Sequence, residues 1–213
     1  MTDAGSRTLL VGRAIDSTSA LAGSLDAELI EVPDVGSDDW VGEIERWGQE
    51  LRAGPGYGRV VVCAWGEPLP PVGFAELDGA GWSDRVEREL GLWFEASVAA
   101  AARAADGGSM VVVAERPAAL DSPGRADVVA VAEGLAVLAR SLGITEGRRG
   151  LRVNLVASEL WTAPRTLLGL PPLLDAFPGR PDVEVAGAVR MLLSDDACGV
   201  SGTVVRADCG RSW

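Results

Sequence analysis

The chain has no histidine and no lysine, so its 19 basic residues are all arginines. This excludes a Ser-His-Asp or Cys-His nucleophile, a histidine-bearing metal site, a Schiff-base lysine and a phosphate loop ending in lysine. Tyr57 is the only tyrosine and Asn154 the only asparagine. A coding bias toward Ala, Gly and Arg accounts for the missing lysines, and the chemical exclusions hold whatever the cause. Cys63, Cys198 and Cys209 have no metal-type spacing, and their odd number closes no disulfide framework, which favours a reducing interior. Asp3, Arg7 and Arg13 interrupt the first residues, so no secretory leader is expected. No apolar run approaches the roughly 18 residues a membrane span requires. The expectation is a soluble, cytoplasmic protein. Its net charge of −12 repels nucleic-acid phosphates, which excludes that class of partner.

With 213 residues and 47% apolar content, the chain suits a single domain over 1–213 with a sizeable core. RTLLV at 7–11 reads as a first buried strand. Ser17, Thr18 and Ser19 are placed to cap a helix running through Leu21 and Leu25. ELIEV at 28–32 reads as a second strand, stopped by Pro33. A helix over 38–51 carries Trp40, Val41, Ile44, Trp47 and Leu51 as a core stripe. GPGYG at 54–58 resembles a nucleotide-binding glycine loop in letters alone. It precedes a strand instead of opening a helix, so it reads as a turn. Further strands are expected at 59–66, 109–115, 151–157 and 203–207, with helices at 82–105, 126–143 and 183–193. The stretch 163–181 reads as irregular. The helix 126–143 is apolar on more than one side, with Glu133 and Arg140 its only charges after Asp127.

Strands alternating with helices at this spacing specify an α/β fold, a Rossmann-like doubly wound parallel sheet with right-handed crossovers. Any ligand then lies outside the carboxyl ends of the strands. Four segments in order carry a family resemblance. They are VVVCAWG (60–66), FAELDGAGWSDRVEREL (74–90), LARSLGITEGRRGLRVNLVA (138–157) and PDVEVAGAVRMLLSDDACGVSGTVVRADCG (181–210). Together they resemble the short-chain dehydrogenase/reductases from about Arg59 onward. IEVPDVGSDD (30–39) is similar to the family's third strand and its Asp-Val, here Asp34-Val35, yet it follows closely on the first strand. The resemblance implies that one strand-helix unit of roughly 30 residues is missing near the N-terminus.

Carried over residue by residue, the resemblance puts the family's proton-transferring tyrosine at Val128 and its lysine at Ala132. The carbonyl-binding serine falls near Glu115, and the asparagine of the long helix near Glu89. Neither Val nor Ala can transfer a proton. The cofactor turn is GRAIDSTSALAG, which keeps Gly12 but lacks the later glycines, and Pro-Gly after the sixth strand is replaced by Ser158-Glu159. The resemblance thus implies no catalytic set and only a vestigial crevice of Gly12, Asp34, Val35, Ala64, Ser158 and Glu159. Neither a metal nor NAD or NADP is expected on this subunit alone. Glu115, Asp121, Glu159 and Glu89 are candidates for a carboxylate pair or cation site, although solvated loop ends are the plainer reading. Trp65, Trp93 and Trp161 read more simply as core or interface than as ligand platforms.

The family assembles through its two long helices and its last strand, which implies an interface built from Trp93, Val128, Val131, Leu135, Leu138, Leu142 and Val204. The expected role is a non-catalytic subunit paired with an active oxidoreductase of the same family or with itself. The alternatives are an enzyme with relocated chemistry on Glu115 and a ligand sensor that keeps the crevice.

Overall fold

The computed structural model describes residues 7–66, 69–116, 124–158 and 181–208. The expected irregular stretch, Asp121, Glu159, Trp161 and Cys209 lie outside them. Six strands form one parallel sheet: β1 (Thr8–Gly12), β2 (Ala27–Glu31), β3 (Tyr57–Cys63), β4 (Ala104–Glu115), β5 (Arg152–Ser158) and β6 (Val204–Arg206), in the order β2-β1-β3-β4-β5-β6. The helices are α1 (Asp16–Ser24), α2 (Trp40–Arg52), α3 (Gly79–Trp82), α4 (Arg88–Arg103), α5 (Ala126–Glu146) and α6 (Ala186–Leu193). A π-helical turn, Ser83–Glu87, joins α3 to α4, and another, Pro181–Val185, leads into α6.

β1, β3, β4 and β5 carry buried apolar runs at 9–11, 60–63, 110–114 and 155–157 because helices cover both faces of the sheet. After β1 the chain turns outward to β2 and then returns to the other side of β1 as β3. This reversal opens a crevice at the carboxyl ends of β1 and β3. Gly12 is paired with Cys63 there, and a Cβ on Gly12 would collide with the Cys63 carbonyl oxygen.

Among the differences from expectation are two helix ends and one helix face. α1 starts at Asp16 with Ile15 as its N-cap and no side-chain cap bond, because Thr18 is buried against Gly12 and Cys63. In α2, Val41 faces solvent, while Ile44, Gly48 and Leu51 form the buried line. α4 ends at Arg103 rather than at the glycines; the chain is already extended at Ala104, which pairs with Tyr57 before a bulge at Gly107 (φ 76°).

The earlier chain end has a physical cause. The buried Arg103 guanidinium donates to Leu51 O at 2.8 Å, to Pro55 O at 2.5 Å, and stacks 5.0 Å from the Tyr57 ring centre. Arg7 stacks 4.5 Å from the same ring. Tyr57 donates to Glu28 at 2.7 Å, so the sole tyrosine belongs to the amino-terminal edge of the sheet, opposite the crevice. Other arginines end other helices. Arg149 donates to Ala101 O and Ala104 O at the end of α4, Arg152 to Leu192 O and Ser194 O at the end of α6, and Arg190 to Ser24 O at the end of α1. Asn154 donates to Val200 O and accepts from Thr203 N, tying β5 to the approach of β6.

α5 packs on β4, β5 and α4. Trp93, Val131, Leu135 and Leu142, expected at an interface, are instead buried in the chain's own core, and Val128, Leu138 and Val204 are half-buried against it. An all-round apolar pattern does not tell which side meets the sheet. The outward apolar residues are Phe94 (54% exposed), Val137 (64%) and Ile144 (73%). Extended to Arg149, this helix is apolar enough to cross a membrane by length and composition, with mean hydropathy 1.6. The sequence reading expects no such run, because it weighs the isolated charges more heavily than the window as a whole. Of that window 28% is buried, Val128, Ala130, Ala136 and Leu138 are half-buried against the core, and the exposed positions of α5 are Glu133, Val137, Arg140, Ser141, Ile144 and Thr145.

Two measurements check this arrangement. Replacing Arg103 by Lys keeps the charge but loses the planar fork, and is expected to cost about 1–3 kcal/mol in urea unfolding. Burial, and then the hydrogen bond to Glu28, raise the Tyr57 pKa above its ordinary 10.0. The folded chain therefore holds this proton where the unfolded chain has released it. Stability is intact below pH 10.0 and falls as pH rises above it. Alkaline absorbance titration of the single phenol, run beside thermal melts, is expected to show both effects.

Candidate functional site

The carboxyl edge of the sheet encloses a cavity of about 430 Å³. The β1–α1 turn supplies Arg13, Ala14 and Ile15, and the segment after β2 supplies Val32, Pro33 and Asp34. Trp65 and Gly66 follow β3. Arg85 and Glu89 enter from the start of α4, Glu115 from the end of β4, and Arg125, Asp127, Val128 and Val131 from the start of α5.

Three arginine–carboxylate pairs fill the polar part. Arg13 forms a two-pronged bond with Glu89, at 2.7 and 3.3 Å, across the crevice from the β1–α1 turn to α4. Arg85 bonds Asp127 at 2.8 Å and also donates to Pro70 O. Arg125 reaches both Glu115 oxygens at 3.1 and 3.2 Å, and this pair is buried. Such forks hold both partners in one geometry. Trp65 donates its indole N–H to Val113 O at 3.0 Å and meets Trp93 edge-on at 5.1 Å. It is therefore mostly core, with one edge in the cavity.

Among the residues matched to family positions, Glu89, Glu115 and Val128 line one cavity, while Ala132 is buried behind it. Glu115 is not a solvated loop end, as the plainer reading had it; it is 1% exposed and paired. Of the vestigial crevice, Asp34 lines the cavity, Gly12 and Ala64 lie beneath it, and Val35 and Ser158 are buried beside the strand ends. Glu159 lies outside the described residues. Among the described residues no cluster of three metal-ligating side chains occurs. Burial pushes the Cys63 thiol up to about 12, so it carries no thiolate nucleophile at neutral pH. Sequence reasoning missed Arg13, Arg85, Arg125 and Asp127. The available signal was an arginine directly after Gly12, in a turn where the resembled family places small residues.

Arg13 and Asp16 stand at the β1–α1 turn, where such a sheet offers a helix N-terminus to a phosphate. A Cβ on Gly66 would lie 2.5 Å from an Arg13 terminal nitrogen, so the Arg13 side chain covers the backbone at the end of β3. The first turn of α1 carries Asp16, which sets a negative charge near the positive helix end.

A family model described as enoyl-(acyl carrier protein) reductase matches residues 2–212. Solved structures of the same architecture align over nearly the whole chain. One is a short-chain dehydrogenase/reductase described as a glucose/ribitol dehydrogenase, from Brucella melitensis, with TM-score 0.71 and 19% identity over 98% of this chain and 97% of that one. The chain belongs to the short-chain dehydrogenase/reductase family. A second family structure, from Serratia marcescens, has TM-score 0.68 and 17% identity over 98% of each chain. No curated protein matches.

The buried pair gives a direct check. Arg125→Met leaves the Glu115 carboxylate without this partner and is expected to destabilise the fold by about 3–5 kcal/mol. Joining it to Glu115→Leu is expected to recover most of that loss in the same chemical denaturation experiment.

Proposed function

We propose that this chain is a catalytically silent member of its family, a structural or regulatory subunit that assembles with an active oxidoreductase of the same fold or with a second copy. The observation that carries the reading is the Arg13–Glu89 pair spanning the crevice in front of Val128. The proton-transferring pair is replaced at Val128 and Ala132, and the crevice polar groups are bonded to one another. The subunit accordingly takes up neither NAD nor NADP. A pocket with five carboxylates (Glu31, Asp34, Glu89, Glu115, Asp127) against three arginines (Arg13, Arg85, Arg125) repels a pyrophosphate.

Assembly is supported by Phe94 on α4 and by Val137 and Ile144 on α5, all exposed. A cytoplasmic location belongs to the same reading. Relocated chemistry on Glu115 is the weaker alternative, because that carboxylate is buried under Arg125.

Light scattering at micromolar concentration, alone and with an active relative from the same host, is expected to find an oligomer. Val137→Glu with Ile144→Glu is expected to dissociate it without unfolding the chain. Calorimetric titration with NADH and NADPH is expected to show no binding up to about 1 mM. A monomer under all conditions, or micromolar dinucleotide binding, overturns the proposal.

A further inference from the structure

We propose that the crevice binds a small organic cation, an amine carried on an apolar body about the size of a phenylalkyl group. The inference rests on the reading that the dinucleotide site has been given up, since a dinucleotide would occupy the same space.

At about 430 Å³ the cavity falls within the range of small-molecule sites. Ile15, Val32, Trp65, Leu69, Val128 and Val131 give it a largely hydrocarbon wall. Burying an apolar group of that size against such a wall is favourable by itself. The charge pattern selects the head group. Three arginines are paired with Glu89, Asp127 and Glu115, so among the described lining residues that region is internally neutral and its cations are already matched. The surplus charge sits at the end supplied by β2. There Glu31 and Asp34 line the cavity, have exposed side chains, and form no ion pair with any described residue.

This division suits an amphipathic cation. Its body displaces water from the wall, while its ammonium group meets two carboxylates that are still hydrated, so neither partner undergoes the full desolvation that makes buried ion pairs costly. An anion of the same shape meets repulsion at that end, and a neutral analogue gains only the apolar contact.

The test is calorimetric titration of the full chain at pH 7 with 3-phenylpropylamine, 3-phenylpropan-1-ol, 3-phenylpropionate and NADH. Saturable 1:1 uptake of the amine is expected, with the alcohol and the acid weaker by about tenfold or more. Glu31→Gln with Asp34→Asn is expected to bring the amine down to the level of the alcohol. Val128→Trp, which fills the wall, is expected to abolish uptake. Should that variant fail to fold, the two carboxylate changes still decide, because both side chains are exposed. An amine that binds no better than the alcohol, or equally well after the carboxylates are neutralised, overturns the proposal. Tight NADH uptake overturns the proposed function and this inference together. Silence toward both amine and NADH overturns this inference alone.

Discussion

The structure depends on the guanidinium fork. A lysine can cap a helix end or pair with a carboxylate as a point charge, but a planar group with several fixed donors can do both at once. Arg103 shows the economy of this. One buried side chain ends α2 by binding the Leu51 carbonyl, holds the following turn at Pro55, and covers a face of Tyr57. Arg149, Arg152 and Arg190 repeat the carbonyl contact at the ends of α4, α6 and α1. A composition that looks like mere coding bias therefore has a structural result: carbonyls at the ends of four helices receive an additional bond from arginines of other elements.

The same interaction changes the crevice. Open α/β sheets leave strand ends and helix N-termini polar and unsatisfied at the switch point, which is why ligands bind there. In this chain the pairs Arg13–Glu89, Arg85–Asp127 and Arg125–Glu115 stand in that region. The Arg13–Glu89 pair spans the gap between the β1–α1 turn and α4, a distance a bound ligand would otherwise bridge. It also raises the cost of admitting a phosphate, because an incoming anion must displace a carboxylate from a two-pronged bond.

What was legible in the sequence follows from which forces are local. The buried strands were readable because a parallel strand covered on both faces is apolar at every position, as in VVV at 60–62 and again at 111–113. The alternation of strands with helices made the parallel sheet readable, but not the order β2-β1-β3-β4-β5-β6, which pairings distant in the chain decide. Helix ends were less legible, since Arg103 ends its helix through carbonyls near positions 51 and 55, far away in the chain. The candidate site was half legible. Glu89, Glu115 and Val128 do share one cavity, but nothing local to Glu115 announces Arg125 as its partner, and a charged residue beside a loop reads by default as solvated.

α5 brings these threads together. A helix that carries a tyrosine and lysine must give part of its surface to polar work, and its outward side is free to vary. In α5, Val128 and Val131 line the cavity, Leu135, Ala139 and Leu142 are buried, and the charges are Asp127, Glu133, Arg140 and Glu146. Asp127 is bound by Arg85 and Glu133 by Arg116, so even these charges are used to fix the helix to its neighbours. Val137 and Ile144 then stand on the one side with nothing among the described residues to cover them. Water penalises that side in proportion to its apolar area. Covering that side with another surface is what the proposed assembly supplies.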